Sequence, residues 1–123
     1  MSDTVLSENQ VQARLAQSLA AWRWADGAIA RTYRTAGWKA SLMLVNAIGH
    51  VAETAWHHPD LEVSWGRVTV RLSTHSAGGV TEKDLALAAR MEDVVTWVPP
   101  AESALDGTPD DPRYRYLDLD DGG

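Results

Sequence analysis

The sequence predicts a two-layer α+β sandwich, with helices covering one face of an antiparallel sheet. Three observations predict it. Two pairs of short strand-like stretches are each joined by a tight turn, which makes their pairing antiparallel. Three amphipathic stretches at helical spacing stand before, between and after those pairs. The resulting order is α-β-β-α-β-β-α, with no internal repeat and no low-complexity core. A chain of 123 residues makes one domain of this kind, with a core modest enough to benefit from self-association.

Each element has a local cause. Ser7-Glu8-Asn9-Gln10 reads as a capping box, and Val11, Leu15 and Leu19 give the helix it opens one apolar face, ending over residues 19–21. Residues 22–25 and 28–33 form a hairpin around Asp26-Gly27, a pair suited to a turn that needs positive φ at both positions. Alanine weakens the β character of both arms. From residue 38 or 39 to about 57 the pattern is helical, with Leu44, Ile48, Val51 and Ala55 at i, i+4, i+7 and i+11. Leu42, Val45 and Ala52 widen the apolar arc, so this helix is expected to pack on two sides, on the sheet and on a partner subunit. Gly49 costs ~1 kcal/mol there relative to alanine, and close approach of another backbone is its expected compensation.

Pro59 ends the middle helix and holds His58 extended, which places His57 on the last helical turn. Leu61, Val63 and Trp65 alternate with Glu62 and Ser64 as a strand, and Gly66 turns the chain. Val68, Val70 and Leu72 alternate with Arg67, Thr69, Arg71 and Ser73, the clearest strand in the sequence. If the pleat continues, His75 lies in line with Ser73 on the polar side. After the turn Ala77-Gly78-Gly79, Thr81-Glu82-Lys83-Asp84 starts the last helix, which Leu85, Ala88, Met91 and Val95 carry to about residue 97. Pro99-Pro100 closes the fold, giving a domain over residues 1–99 and a tail over 100–123.

The charge is unevenly spread. The tail holds seven carboxylates against Arg113 and Arg115, a net of −5 out of the total −6. Together with Gly107, Pro109 and Pro112 this predicts an extended or disordered segment, in which Tyr114, Tyr116 and Leu117 are the residues able to dock. No basic stripe suggests nucleic acid. The start of the chain lacks a secretory pattern, and the longest aliphatic run, residues 42–45, is far too short to span a membrane. Cysteine is absent, which removes thiolate nucleophiles and Cys-ligated metal sites and fits a reducing compartment. A cytoplasmic protein is the expectation.

Three of the four histidines lie between residues 57 and 75, at the ends of a helix and a strand. Glu53 stands four residues before His57, so a helix would place both on one face. A carboxylate beside an imidazole favours the protonated ring and can set its tautomer. These residues suggest acid–base chemistry by His57 and His75 across a small cleft, with His58 orienting the ligand. Three imidazoles and a carboxylate also suit zinc, but the adjacent pair diverges at the proline, which is poor geometry for chelation. His50 reads as a surface residue, and Asp84 as the cap of Thr81 before any chemistry. Trp65 reads as the lid or edge of the strand pair. Gly78-Gly79 lacks the surroundings of a phosphate loop.

In this stretch the sequence resembles the pterin-4a-carbinolamine dehydratases. Their motif of spaced acidic, histidine, proline, aromatic and aspartate positions reads here as Glu53, His57, His58, Pro59, Trp65, His75 and Asp84. Asn46, the stretches R-V-T-V-R-L-S-T-H and A-G-G-V-T-E-K-D-L-A-L-A-A, and residues 22–27 are also similar, so the likeness covers about residues 7–97. The resemblance implies a four-stranded antiparallel sheet with three helices on one face. It implies dimers joined through sheets and tetramers joined through helices. The implied reaction is loss of water from 4a-hydroxytetrahydropterin, a product of aromatic amino acid hydroxylases, to give quinonoid dihydropterin without metal or organic cofactor. By resemblance, His57 and His75 are the acid–base pair, His58 binds the pterin and Glu53 supports His57. Pro59, Trp65, Ser73, Thr74 and Asp84 fall at substrate-binding positions.

Two features depart from the family: phenylalanine is absent, and the acidic tail has no counterpart. Some relatives instead act as binding proteins, as dimerisation partners of a transcription factor or as assembly factors. Such a role would not require all three histidines, so the intact motif favours the enzyme. The pterin head is common to biopterin, folate-type and molybdopterin-linked pterins, and the motif does not choose among them.

Overall fold

The structure is a computed structural model and describes residues 3–118. Asp120, Asp121 and the terminal glycines of the tail lie outside the described residues. The elements are α1 (Glu8–Ser18), β1 (Arg23–Trp24), β2 (Ile29–Thr35), α2 (Trp38–Ala55), β3 (Asp60–Ser64), β4 (Arg67–Leu72) and α3 (Glu82–Val95). A 3₁₀ turn (Pro112–Tyr114) and β5 (Leu117–Asp118) follow. Among the described residues no helix is long and apolar enough to cross a membrane.

Both capping boxes form. The Gln10 amide N–H donates to Ser7 Oγ at 3.1 Å while Ser7 N–H donates to Gln10 Oε1 at 2.8 Å. Thr81 and Asp84 do the same for α3. Asp26 and Gly27 take φ of 51° and 83° in the first hairpin, the left-handed pair that a two-residue turn between twisted strands demands. From β4, the Arg71 guanidinium donates to the carbonyls of Ala25 and Asp26 at 2.7 and 3.1 Å and braces this turn.

The sheet order is β1-β2-β4-β3, all antiparallel. Register puts Ile29 opposite Leu72, Arg31 opposite Val70 and Tyr33 opposite Val68, while Leu61 and Val63 face Val70 and Val68 from β3. These side chains form the inner face, with Val63 at its exposed edge. Helix α2 packs on β2, β3 and β4 and against α3, and Val11, Leu15 and Leu19 of the first helical segment join the same core. The α+β sandwich expected from the pattern is therefore the observed architecture.

The inner face of the sheet carries a charged residue, Arg31 of β2. The Arg31 side chain lies on the core face, where its Nε donates to Glu92 of α3 at 2.6 Å. Trp22 Nε1 and the Tyr33 hydroxyl donate to the same Glu92 oxygen at 2.9 and 2.8 Å. Burial and the neighbouring Glu92 charge push the Tyr33 phenol well above its usual range.

The tail adds to the expected sheet, and one expectation, for Gly49, changes. The tail returns to the sheet, where Leu117 and Asp118 pair with Thr35 and Arg34 and Leu117 is buried. β1 covers only Ile29 and Ala30, so the far end of the same β2 edge remains open for β5. The sheet thus has five strands where two hairpins account for four. Gly49 is exposed, and among the described residues no other part of the chain lies within 4 Å of where a Cβ would stand, its own helix backbone aside, so the backbone approach expected there does not occur among them. Trp38, Leu42 and Met43 are likewise exposed on α2.

Replacing Glu92 by Ala leaves Arg31 charged and unpaired in the core, and urea denaturation should show a loss of about 3–5 kcal/mol. The raised phenol gives a pH signature. Tyr33 stays protonated in the folded state where the unfolded chain releases its proton. Its contribution is thus complete below the ordinary tyrosine value of about 10 and is lost as pH rises beyond it. Thermal melts above that pH should fall more steeply for the wild type than for Tyr33→Phe.

Candidate active site

The site begins where α2 stops. Trp56 takes the left-handed conformation with φ 54° and ψ 46°, and the Trp56 and His57 amide N–H groups donate to carbonyls of the last turn. A bulky residue at positive φ is strained, by about 1–2 kcal/mol on steric grounds. The helix therefore ends at Ala55, before the proline acts, and His57 is not on its last turn as expected. The reversal at Trp56 breaks the i, i+4 relation between Glu53 and His57. Glu53 Oε1 instead lies 2.8 Å from His58 Nε2, and both side chains are largely exposed. The indole of Trp56 meets the His58 ring edge-on at 5.0 Å between centroids.

His57 turns inward and finds a different carboxylate. Its Nε2 lies 2.6 Å from Asp84 Oδ1. Asp84 is completely buried, and its other oxygen accepts from the Thr81 amide at 2.9 Å and from the Thr74 hydroxyl at 2.8 Å. With Thr74 donating to the carboxylate, the Thr81 hydroxyl donates to Thr74 across 2.7 Å, and Thr81 Oγ1 accepts from the Lys83 amide. The Thr81 amide, the Thr74 hydroxyl and the His57 ring thus surround the Asp84 carboxylate. That partner assigns the Nε2 proton to His57 and leaves Nδ1 as the ring nitrogen available to a ligand.

The third histidine comes from the loop after β4. Thr74 and Gly79 form an isolated bridge that closes this loop, with His75 and Ser76 at its exposed tip. His75 Nε2 stands 3.9 Å from Asp60 Oδ2, too far for a hydrogen bond. His57, His58, Ser73, Thr74 and His75 surround one open cavity of about 320 Å³, with Trp56, Ser76 and Lys83 completing its wall. Helix end and strand end meet here, as the positions of the imidazoles in the chain suggest.

The remaining expected residues are placed otherwise. Glu53 stands behind His58, not behind His57. Asp84 has no exposed surface, so it can act on a ligand only through the imidazole it holds. It caps Thr81, as expected, and it also holds His57, the place the spacing suggested for Glu53. Pro59 continues the chain into β3 and is not among the residues lining the cavity. Trp65 lies at the opposite end of the five-residue β3, about 17 Å away along the strand. It covers Gly37 and borders a separate cavity with Trp38, Met43, Tyr114 and Tyr116. Among the described residues no group of three or more His, Asp or Glu side chains is arranged to hold a metal ion. Trp56 and Lys83 were not legible as site residues, since neither carries a local signal beyond adjacency to His57 and Asp84.

Comparison with known proteins finds relatives over most of the chain. Residues 4–94 match the family model described as pterin 4 alpha carbinolamine dehydratase. A protein of Aquifex aeolicus named "Putative pterin-4-alpha-carbinolamine dehydratase" is 44% identical over 90 residues, covering 73% of this chain and 90% of that protein. A relative of the same name from Chloroflexus aurantiacus is 41% identical over 90 residues, covering 73% of this chain and 96% of its own. The crystal structure of a transcriptional coactivator/pterin dehydratase from Brucella melitensis superposes with a TM-score of 0.67 at 29% identity, over 74% of this chain and 98% of that one. Fold, motif and sequence thus converge over the same three-quarters of the molecule, and the chain belongs to the pterin-4a-carbinolamine dehydratase family.

Proposed function

We propose that this protein dehydrates a 4a-hydroxytetrahydropterin to the quinonoid dihydropterin, as a step in recycling a pterin cofactor. The observation that carries the reading is the convergence of His57, His58 and His75 on one cavity, with His57 held by the buried Asp84. In the reaction the C4a–O bond breaks, a proton joins the departing hydroxyl to form water, and N5 loses its proton as the N5=C4a double bond forms. One proton donor and one acceptor on either side of a flat ring are what the step requires. His57 and His75 serve as that pair. His58, fixed by Glu53 and Trp56, orients the ring. Ser73 and Thr74 stand on the same wall, and Pro59 sets the course of the chain between the histidines and β3.

No metal or organic cofactor takes part in this scheme, and the cysteine-free chain suits a cytoplasmic setting. A second reading comes from the exposed Trp38, Leu42 and Met43 on α2, an apolar surface fit for a protein partner. In the present reading its occupant is α2 of another copy, giving a homodimer or homotetramer. Light scattering should then report a mass that is a multiple of 13.4 kDa, and a strict monomer would remove this account of the surface.

Freshly generated 4a-hydroxytetrahydropterin should lose water faster with the wild type than spontaneously. His57→Ala and His75→Ala should each lower that rate by about 10²–10⁴-fold. Asp84→Asn tests the orienting carboxylate, since the amide can offer an N–H to His57 Nε2 and so favour the other tautomer. Its rate should fall toward that of His57→Ala while pterin binding is kept. A wild type that binds pterin but does not exceed the spontaneous rate would move the function to binding or assembly.

A further inference from the structure

A second and larger cavity, about 720 Å³, adjoins the histidine cavity and shares Trp56, His57 and Lys83 with it. It runs between α2 and α3. Its floor is apolar, built from Val51 and Ala55 on one helix and Leu87 and Val94 on the other. Among the described residues its charged and titratable lining is basic, since His50, His57, Lys83 and Arg90 face it and no carboxylate does, in a chain of net charge −6. Lys83, at the junction, meets Asp3 at 2.9 Å. Arg90 is exposed, and among the described residues it has no hydrogen-bond or ion-pair partner. Lys83 and Arg90 are seven residues apart, two turns along one face of α3, which spaces them by about 10 Å.

We propose that this groove receives the substituent carried by the pterin, and that the preferred substrate bears a long one, aromatic in its body and carboxylate-terminated, as in a pteroylglutamate. The inference rests on the pterin reading of the histidine cavity. With the ring among His57, His58 and His75, a substituent passing Trp56 and Lys83, which both cavities share, enters the groove directly. A short polyhydroxylated side chain would leave the exposed apolar groups of Ala55, Ala86 and Val94 uncovered. An aromatic body covers them and removes that apolar surface from water. A terminal carboxylate then arrives near Arg90, whose planar guanidinium suits two-point recognition of such a group. The basic lining selects against neutral arms of the same length.

Calorimetric titration with two stable dihydropterins tests this, using the full chain. One is dihydropteroylglutamate and the other carries a dihydroxypropyl side chain. The wild type should bind the long ligand at least about tenfold tighter, the size of one charge-assisted hydrogen bond. Arg90→Glu should erase that advantage and leave the short ligand's affinity unchanged. Added salt should narrow the gap in the wild type. Equal affinity of the two ligands, or an equal loss for both in Arg90→Glu, overturns the long-arm assignment while the pterin site stands. If Arg90→Glu instead splits an oligomer and leaves the ligands equal, the groove is an interface between copies and the assignment is also overturned. Failure of both ligands to bind overturns the pterin reading and this inference with it.

Discussion

A single buried carboxylate joins the parts of this molecule. Asp84 has no contact with solvent, yet it receives the Thr81 amide, the Thr74 hydroxyl and an imidazole nitrogen of His57. Burying an ionised group without partners would cost several kcal/mol, so a fold that contains Asp84 must also supply these donors. The donors come from three places in the chain: the start of α3, the end of β4 and the turn after α2. Satisfying Asp84 therefore brings together the two strand and helix ends between which the histidines lie. Stability and site geometry are one constraint here.

Helix α3 is held at its other end in the same manner. Glu92 stands eight residues beyond Asp84, about 12 Å along the helix, and gathers Trp22, Arg31 and Tyr33 from the first hairpin and β2. Its position near the helix C-terminus is unfavourable for a negative charge, and the Arg31 guanidinium 2.6 Å away offsets that. The Arg31 group also lies 4.2 Å from the Tyr33 ring centroid, so it is held by a face as well as by a charge. Two carboxylates on one helix thus lock it to the sheet at both ends. The groove between α2 and α3 has walls that cannot slide freely.

Much of the fold was legible because its causes are local. Ser7 with Gln10, Thr81 with Asp84 and Asp26 with Gly27 each settle a helix start or a turn within four residues, and all three form. The alternation of Val68, Val70 and Leu72 marks the inner face of β4 for the same reason. The strand β5 was not legible, since two residues without alternation carry no periodic signal. It exists because β2 outruns β1 and offers an open edge. Arg31 was equally hidden. Its place on the inner face follows the pleat, but the carboxylate that makes it tolerable lies 61 residues away.

By itself, the sequence determined the α-β-β-α-β-β-α order, the two capped helices and the family motif, and it placed three imidazoles at element ends. These depend on spacing, on backbone preference and on residue type, all of which are read along the chain. Tertiary structure alone decided which carboxylate serves which histidine. Spacing favours Glu53 with His57, but the left-handed Trp56 ends the helical register between them, and the folded chain pairs Glu53 with His58 and Asp84 with His57. Tertiary structure also separated Trp65 from the other motif residues by the length of β3 and set a basic groove beside the histidines. Such pairings join groups tens of residues apart, and they depend on burial and on donor geometry, which exist only once the chain has folded.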